Sequence, residues 1–200
     1  MAALPAELGY DNTPCPGRQA GGRAAGEDLL ASFLTKRGET YRQGMASPRS
    51  AEHVCSRLSA HIAYGTLSLR EIVQTHRRRW AEAKAAAPRS NWAQSLKSFE
   101  SRLHWHCHFI QKLEDEPSIE WRNLHRGYDG LRDESAVDGG RLAAWAEGRT
   151  GVPFIDACMR QVAHDGWINF RMRAMLVAVA SYHLWLHWRE PSVDLARLFT

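Results

Sequence analysis

The stretch Trp145-Ala-Glu-Gly-Arg-Thr-Gly-Val-Pro-Phe-Ile-Asp-Ala-Cys-Met-Arg160 decides the fold of this chain. It combines the end of one helix, a Gly/Pro turn and the start of a second helix, since Pro is tolerated in the first turn of a helix and Gly suits the turn before it. Taken by itself, the stretch predicts helical architecture and no particular chemistry.

Outward from this stretch, hydrophobic residues recur at helical spacing in both directions. Ser68-Leu-Arg-Glu71 is a capping box that opens a helix, because each side chain satisfies a free N–H of the other residue. Alternating apolar and polar runs of the β type are absent, so the predicted class is all-α. The predicted helices are a first one ending near Gly38 and others over about 51–64, 68–86, 91–114, 141–147, 154–164 and 168–188, with a loop over 115–140 and a turn at Pro191.

Composition describes an ordinary soluble protein of 200 residues, with 44% hydrophobic and 24% charged residues. The net charge of +4 is a weak basic bias, and Arg77-Arg78-Arg79 is more typical of a solvated helix face than of a binding site. Eight tryptophans predict either a large helical core or a site for a flat ligand. Residues 1–23 are rich in Ala, Gly and Pro and are predicted to form a flexible lead, followed by one domain over 24–200.

Cellular location follows from the cysteines and from missing targeting signals. The four cysteines are scattered without a C-x-x-C spacing, which favours a reducing compartment and predicts neither a disulfide framework nor a zinc site. The amino terminus lacks the apolar run of a signal peptide, and no apolar stretch approaches the length that spans a bilayer. The sequence therefore predicts a soluble, cytoplasmic protein.

Two further stretches contain residues suited to binding. The first is Cys55-Ser-Arg-Leu-Ser-Ala-His-Ile-Ala-Tyr-Gly-Thr-Leu-Ser68, in which Ser56, Arg57 and Ser59 fall in the opening turns of a predicted helix. Free N–H groups at that end favour an anion, or the three residues simply cap the helix. In Asp165-Gly-Trp-Ile-Asn-Phe-Arg-Met-Arg173, an aromatic residue and two arginines suit a charged, planar ligand. A glycine-rich phosphate loop is absent, so a nucleotide would be held by helix ends, hydroxyls and arginines.

Together the three stretches resemble, in this order, the FAD-binding domain of the cryptochrome/DNA photolyase family. The matching blocks are Ser56-Arg57-Leu58-Ser59, Gly65-Thr-Leu-Ser68, Thr150-Gly-Val-Pro-Phe-Ile-Asp-Ala-Cys-Met-Arg160 and Gly166-Trp167. The resemblance runs from about residue 24 to Thr200. It implies a multi-helical orthogonal bundle with FAD folded into a U shape between helices, beneath a cavity that accepts a lesion in UV-damaged DNA. It also implies that the α/β antenna domain, with its second chromophore, and the last part of the FAD-binding domain are missing.

The resemblance also implies roles for individual residues. Tyr41, Ser56, Arg57, Leu58 and Ser59 would lie along the phosphates or ribityl chain, with Trp167 as a wall of the pocket and Arg173 flanking the isoalloxazine. Asn169, adjacent to Phe170, is also predicted to bind the cofactor. His106 stands where the family usually has an arginine near the flavin, and Phe99 stands where many members have a tryptophan. Trp105 aligns with the tryptophan that packs on the flipped pyrimidine dimer, and Trp188 with a member of the tryptophan chain that photoreduces the flavin. Light-excited reduced flavin would supply the electron that splits the dimer.

Several positions depart from the family pattern. Arg102 replaces a glutamate that hydrogen-bonds the lesion in repairing members, and Phe170 replaces an asparagine or histidine. Ser135 falls near the position of the outer tryptophan of the electron chain and cannot relay an electron, so Trp185 is the predicted substitute. Trp185 and Trp188 are equally compatible with simple packing.

Three alternatives stay open. A blue-light photoreceptor of the cryptochrome type, signalling through protein partners that the sequence does not identify, would share every flavin residue. Glu100, His104 and His108 recur on one helix face at a spacing that suits a metal ion or ordinary packed histidines. The chain could also be an inert helical remnant without flavin.

Overall fold

The computed structural model describes residues 13–132 and 137–199. Every regular element in these ranges is helical, which confirms the all-α prediction. The α-helices are α1 (Arg23–Thr35), α2 (Tyr41–Gly44), α3 (Ala51–Val54), α4 (Ser59–Ala63), α5 (Leu69–Ala86), α6 (Asn91–Asp115), α7 (Gly139–Ala146), α8 (Pro153–Asp165), α9 (Phe170–Ala178) and α10 (Arg189–Leu198). Short 3-10 helices cover Arg37–Thr40, Pro117–Glu120 and Arg126–Tyr128, and a π-helix covers Val179–His183. Within the described ranges, no helix has the length and apolar character needed to cross a membrane.

The amino-terminal half is built around the antiparallel pair α5 and α6. Trp80 Nε1 donates to the carbonyl of Ala93 at 3.1 Å, and His76 Nε2 lies 2.9 Å from the carbonyl of Leu96. Helix α1 adds Phe33, which is completely buried. The core of this half consists of Leu30, Phe33, Leu34, Tyr41, Leu58, Leu67, Ile72, Ala83, Leu96, Phe99 and Leu103.

The carboxy-terminal half has a second hydrophobic core between α7 and α10. Trp145 is completely buried, and its Nε1 donates to the carbonyl of Leu176 at 3.1 Å, so the large ring carries no unpaired polar atom into the core. Met159 and Val162 of α8 are also completely buried against it. Each half therefore buries its own apolar surface, and contacts between the halves decide how residues from both can share a site.

Local sequence signals place several helix ends as predicted. The Ser68 side chain accepts a hydrogen bond from the Glu71 N–H at 3.2 Å, and the Glu71 carboxylate accepts from the Ser68 N–H at 3.0 Å, which confirms the capping box. Pro153 begins α8, where its missing N–H leaves no helical bond unmade. Gly166 ends α8 with φ of 62°, a left-handed conformation that glycine adopts without steric cost.

The prediction of one helix over 51–64 is wrong. The chain leaves α3 at Cys55, whose φ of −75° and ψ of 155° are extended, and begins α4 at Ser59. Arg57 has a positive φ of 61°, which no helix interior accepts. The carbonyls of Cys55 and Ser56 accept hydrogen bonds from the Arg37 guanidinium instead of from a following helical turn.

The prediction of a single helix over 168–188 is also wrong. The Asn169 side chain caps the helix by accepting from the Met172 N–H at 3.3 Å, so α9 begins at Phe170. The helix widens into the π-helix at Val179, and a positive φ of 60° at Trp185 ends it. Pro191 lies in the first turn of α10 and not in a turn between helices, since its ring and missing N–H are tolerated there.

Two smaller boundaries differ from the predictions. Helix α1 ends at Thr35, and the 3-10 helix Arg37–Thr40 follows it across Gly38. The predicted loop 115–140 contains two 3-10 helices, and its residues 133–136 lie outside the described part of the chain.

Residues 13–22 have no regular secondary structure and lie against α8. The Gly17 N–H donates to the carbonyl of His164 at 2.8 Å, and the Cys15 thiol donates to the same carbonyl at 3.2 Å. Gln19 Nε2 donates to the carbonyl of Arg57 at 3.0 Å. The flexible lead over 1–23 stays a prediction, and its residues 1–12 lie outside the described ranges.

Candidate functional site

The candidate site lies where the two halves meet, at the segment Cys55–Leu58 between α3 and α4. Leu58 is buried in the amino-terminal core and anchors the segment. Arg37 supports it from the other side through the carbonyls of Cys55 and Ser56. Ser59 is the first residue of α4 and is exposed. The prediction put an anion site at Ser56, Arg57 and Ser59 in the opening turns of a long helix. These residues instead lie at the start of α4, which has only five residues.

Arg57 connects this segment to the carboxy-terminal half. Its guanidinium carbon lies 4.4 Å from the centroid of the Trp167 ring, so two residues predicted to bind the cofactor contact each other. The same guanidinium lies 3.6 Å from the Glu52 carboxylate and donates from Nε to Gln19 Oε1 at 3.2 Å. Burial lowers the pKa of Arg57, whereas the charges of Glu52 and Asp165 oppose that shift.

Asn169 makes a second connection between the halves. Its Nδ2 donates to the carbonyl of Met45 at 3.1 Å, while its Oδ1 caps α9. Its side chain is 3% exposed, so both polar atoms are buried and paired within the protein. The structure therefore brings Arg57, Trp167 and Asn169 to one boundary, with Ser56, Leu58 and Ser59 in the adjoining segment.

Tyr41 and Phe99 lie together in the amino-terminal core. Their ring centroids are 6.1 Å apart, and Phe33 contacts both rings. Burial raises the pKa of Tyr41 to about 12. The charge of Arg102 and a hydrogen bond from Arg102 oppose this rise. Arg102, which is predicted to replace a glutamate of repairing family members, thus influences the Tyr41 hydroxyl.

Arg173 and His106 present buried polar atoms without a protein partner. Arg173 Nε and His106 Nδ1 are both buried, and neither makes a hydrogen bond within the described ranges. Burial lowers the pKa of Arg173, and the Phe199 ring centroid lies 3.9 Å from its guanidinium carbon. A buried donor or acceptor that stays unpaired costs free energy. These two atoms therefore suit a polar ligand, and both belong to residues predicted to flank the flavin.

The three tryptophans predicted to carry the chemistry lie in different surroundings. Trp105 is 48% exposed on α6. Trp188 is half-buried, and its Nε1 donates to Asn123 Oδ1 at 2.9 Å. Trp185 is exposed beyond the π-helix, with the Arg132 guanidinium carbon 4.4 Å from its ring centroid. Ser135, predicted to fall near the position of the outer tryptophan, lies outside the described residues.

Sequence reasoning missed the residues that hold these side chains in place. Gln19 and Asn123 each bind a predicted site residue from a distant, irregular part of the chain. Asn123 also donates to Asp129 Oδ1 at 2.8 Å, which fixes its amide orientation. No motif marks them, because their partners are set by tertiary structure and not by local spacing.

A metal centre at Glu100, His104 and His108 finds no support in the geometry. No group of three His, Cys, Asp or Glu side chains is arranged to hold a metal ion anywhere in 13–132 or 137–199. Glu100 instead pairs with Arg77 Nε at 3.2 Å. Helical spacing alone put these residues on one face, but it does not bring their donor atoms to one point.

The geometry defines an all-helical protein with two hydrophobic cores, and comparison with known proteins identifies its family. Residues 99–200 match the model of the FAD binding domain of DNA photolyase. A deoxyribodipyrimidine photo-lyase of Streptomyces griseus is 33% identical over 175 residues, which are 88% of this chain and 34% of that protein. The chain belongs to the family of the photolyase FAD-binding domain, and it spans about a third of the length of this curated relative.

Solved structures agree on the fold. The cryptochrome of Synechocystis sp. PCC6803 superposes with a TM-score of 0.78 at 22% identity, covering 99% of this chain and 40% of that one. The archaeal photolyase of Sulfolobus tokodaii, whose structure contains two FAD molecules, superposes with a TM-score of 0.68 at 27% identity, covering 90% of this chain and 36% of that one. Photolyases and a cryptochrome thus share this helical arrangement.

Proposed function

We propose that this chain binds FAD at the boundary between its two cores and serves light-driven repair of pyrimidine dimers in DNA. The observation that carries the proposal is Arg173, whose buried Nε finds no partner among the described residues although the chain belongs to a flavin-binding family. A guanidinium prefers an anionic or polar acceptor when it leaves water. The domain over 24–200 would then be part of a flavin-binding domain.

Within the proposed site, the protein's own groups would bind and orient the cofactor. Arg173 would donate from Nε to the ligand, and His106 Nδ1 would accept or donate according to its tautomer. Trp167, already held by Arg57, would offer a rigid wall, while Ser56 and Ser59 would offer hydroxyls to the phosphates. Reduced FAD, when bound, supplies a light-excited electron donor. Trp105, exposed on α6, would contact the flipped lesion.

Flavin binding is tested by titrating the purified protein with FAD and following the quenching of flavin fluorescence. Arg173→Leu should weaken binding about tenfold or more, since a hydrogen bond to a charged group contributes about 1.5–3 kcal/mol. Arg171→Leu is the matched control, because Arg171 lies two residues away on α9 and is exposed. Equal affinities of the two variants would remove Arg173 from the site, and absence of any flavin spectrum in the parent protein would contradict the proposal.

A blue-light photoreceptor without repair activity is the second candidate, and Arg102 favours it. The resemblance to the family predicts a lesion-binding glutamate at this position, whereas this chain has a cation there, whose charge lowers the pKa of Tyr41 against the effect of burial. A carboxylate accepts hydrogen bonds, whereas a guanidinium only donates them. Irradiating the reduced, FAD-loaded protein with damaged single- and double-stranded DNA separates the two candidates. Restored bases support repair, and photoreduction without restored bases supports the photoreceptor.

A further inference from the structure

A polar cavity lies in the irregular chain between α6 and α7. It has a volume of about 310 Å³ and is lined by Trp121, Arg122, Asn123, Arg126 and Asp129. The described residues that line it include none of those proposed to bind FAD. Small-ligand sites have volumes of about 300–1,000 Å³, so this cavity has room for one compact ligand. Because charged and polar side chains predominate in its lining, that ligand must be polar as well.

Asn123 is the rigid polar group of the cavity. It is only 9% exposed. Its Oδ1 accepts from the Trp188 indole N–H at 2.9 Å, and its Nδ2 donates to Asp129 Oδ1 at 2.8 Å. An amide nitrogen carries two N–H donors, and the second one has no acceptor in the described chain. A largely buried donor without an acceptor costs free energy, so this N–H suits an oxygen atom of a ligand.

Two guanidinium groups give the cavity its positive charge. The exposed Arg122 side chain forms no ion pair or hydrogen bond with the described residues. Arg126 Nη2 lies 3.8 Å from Glu116 Oε1, and both side chains are about half exposed. An exposed pair at this distance contributes little free energy, so Arg126 can exchange its partner for a ligand. Guanidinium groups bind phosphate oxygens through paired, charge-assisted hydrogen bonds.

Trp121 and Asp129 suit the other end of such a ligand. Trp121 is 46% exposed, and its ring contacts no other aromatic ring or cation in the described chain. A free indole face of this kind stacks on planar rings such as nucleobases. The Asp129 carboxylate has no cationic partner in the described ranges, and a carboxylate only accepts hydrogen bonds. It therefore repels a phosphate placed beside it but accepts the N–H groups of a base, such as those of the guanine amino group.

We infer that this cavity binds a free nucleoside monophosphate. The phosphate lies on Arg122 and Arg126, and the base stacks on Trp121. A base N–H donates to Asp129, which gives the ligand one orientation. A terminal phosphate carries roughly −1.5 to −2 charges near neutral pH, whereas each phosphate within a strand carries one. Two arginines in one small cavity therefore favour the free monophosphate. The inference goes beyond the proposed function, because this site requires neither FAD nor DNA.

Isothermal titration calorimetry with guanosine monophosphate tests the inference. Guanosine, which lacks the phosphate, and ribose phosphate, which lacks the base, are the matched partial ligands. Each should bind about tenfold or more weakly than the monophosphate, because each loses either the charge-assisted hydrogen bonds or the stacking. A ligand series in which guanosine binds as tightly as the monophosphate would contradict the role of the arginines.

Substitutions assign the binding to this cavity. Arg122→Gln should weaken binding of the monophosphate about tenfold, since a hydrogen bond to a charged group is lost. Trp121→Ala should weaken it about tenfold because the stacking surface is removed. Arg70→Gln, at an exposed position on α5, is the control for the charge. Tyr64→Ala, at a ring that is 74% exposed directly after α4, is the control for the loss of an exposed ring. Both controls should bind like the parent.

Three outcomes would overturn the inference. The first is that Arg122→Gln binds the monophosphate as tightly as Arg70→Gln while circular dichroism shows both folded. The second is displacement of the monophosphate by an undamaged oligonucleotide without terminal phosphates, which would make the cavity part of a strand-binding surface. The third is an equal loss of monophosphate and FAD affinity in Arg122→Gln, which would place the monophosphate in the flavin site. A parent protein that binds the monophosphate but no FAD contradicts the flavin proposal alone.

Discussion

The guanidinium carbon of Arg57 lies 4.4 Å from the centroid of the Trp167 ring, and this cation–π pair joins the amino-terminal half of the protein to the turn between α8 and α9. Shielded cation–π interactions contribute up to about 2 kcal/mol. Arg57 also holds a positive φ of 61°, which costs a non-glycine residue about 1–2 kcal/mol. The interaction therefore offsets a local backbone cost, and the two effects can be separated by substitution.

We expect Arg57→Ala to lower the free energy of unfolding by about 1–2 kcal/mol, because the alanine cannot interact with the Trp167 ring and keeps the strained φ. Arg57→Gly removes the same interaction but relieves the strain, so it should be about 1 kcal/mol more stable than Arg57→Ala. Urea denaturation of the two variants and the parent measures the differences. A glycine variant no more stable than the alanine variant would show that the backbone at this position is unstrained.

The turn before α8 predicts a dependence of stability on pH. The hydrogen bond from the Thr150 hydroxyl to Asp156 Oδ1, at 2.6 Å, is the main cause that lowers the pKa of Asp156, and the backbone N–H groups of Thr150 and Gly151 add to it. A carboxyl with a lowered pKa in the folded state stabilises the protein above its ordinary pKa of about 3.9, and that stability is lost as pH falls through the lowered value.

Asp156→Asn should therefore unfold at a lower urea concentration than the parent at neutral pH, and it should lose less stability on acidification. Asp28→Asn, at an exposed position on α1, controls for the removal of one carboxylate. The measurement is the urea midpoint as a function of pH. Parallel curves for the parent and Asp156→Asn would rule out the turn as a source of the acid dependence.

Local signals account for the parts of the fold that were predicted correctly. Ser68 and Glu71 satisfy each other three residues apart, and Phe33 follows the helical repeat of its own segment. Such features depend on neighbours in the chain, and a sequence displays them directly. The prediction that Trp167 and Arg57 lie near one ligand came instead from the resemblance to the family.

Breaks within helices escaped prediction because no local sequence signal marks them. Arg37 reaches the carbonyls of Cys55 and Ser56, and that pairing replaces the helical hydrogen bonds of the predicted helix over 51–64. The π-helix Val179–His183 likewise interrupts an apolar run that has no proline or glycine. Periodicity reports the apolar face of a segment but not a competing donor from another element.

His76 predicts a loss of stability on mild acidification. Its ring is completely buried, Nε2 lies 2.9 Å from the carbonyl of Leu96, and Nδ1 has no partner in the described chain. Burial is the main cause that lowers the pKa of His76 below its usual 6.5. A histidine with a lowered pKa in the folded state binds its proton more readily when unfolded, so stability decreases as pH falls below about 6.5.

His76→Gln retains an amide donor for the Leu96 carbonyl and removes the titrating ring. We expect this variant to show a flatter stability curve than the parent between about pH 7.5 and pH 5.5. Because the ring also packs on Phe99 and Trp80, the variant should be less stable at neutral pH. His53→Gln, at an exposed position on α3, is the control. If its curve and that of His76→Gln are equally steep, the acid sensitivity originates elsewhere.

Trp188 is predicted either to relay an electron or only to pack, and substitutions can separate these two roles. Its indole N–H donates to Asn123 Oδ1 at 2.9 Å, and losing one such hydrogen bond costs about 1 kcal/mol. Trp188→Phe removes both the indole and the bond, whereas Asn123→Ala removes the bond and keeps the indole. Each variant should lose at least about 1 kcal/mol of stability because each removes this hydrogen bond, and Asn123→Ala also removes the bond to Asp129 Oδ1.

Flavin photoreduction in the FAD-loaded protein should then distinguish the two variants. If Trp188 relays an electron, Trp188→Phe slows photoreduction under blue light and Asn123→Ala leaves it close to the parent rate, because only the first removes the oxidisable ring. Trp185→Phe should also slow it, since Trp185 is exposed and close to Trp188 in the chain and would be the outer donor. Unchanged kinetics in Trp188→Phe would leave packing against Asn123 as the role of this ring.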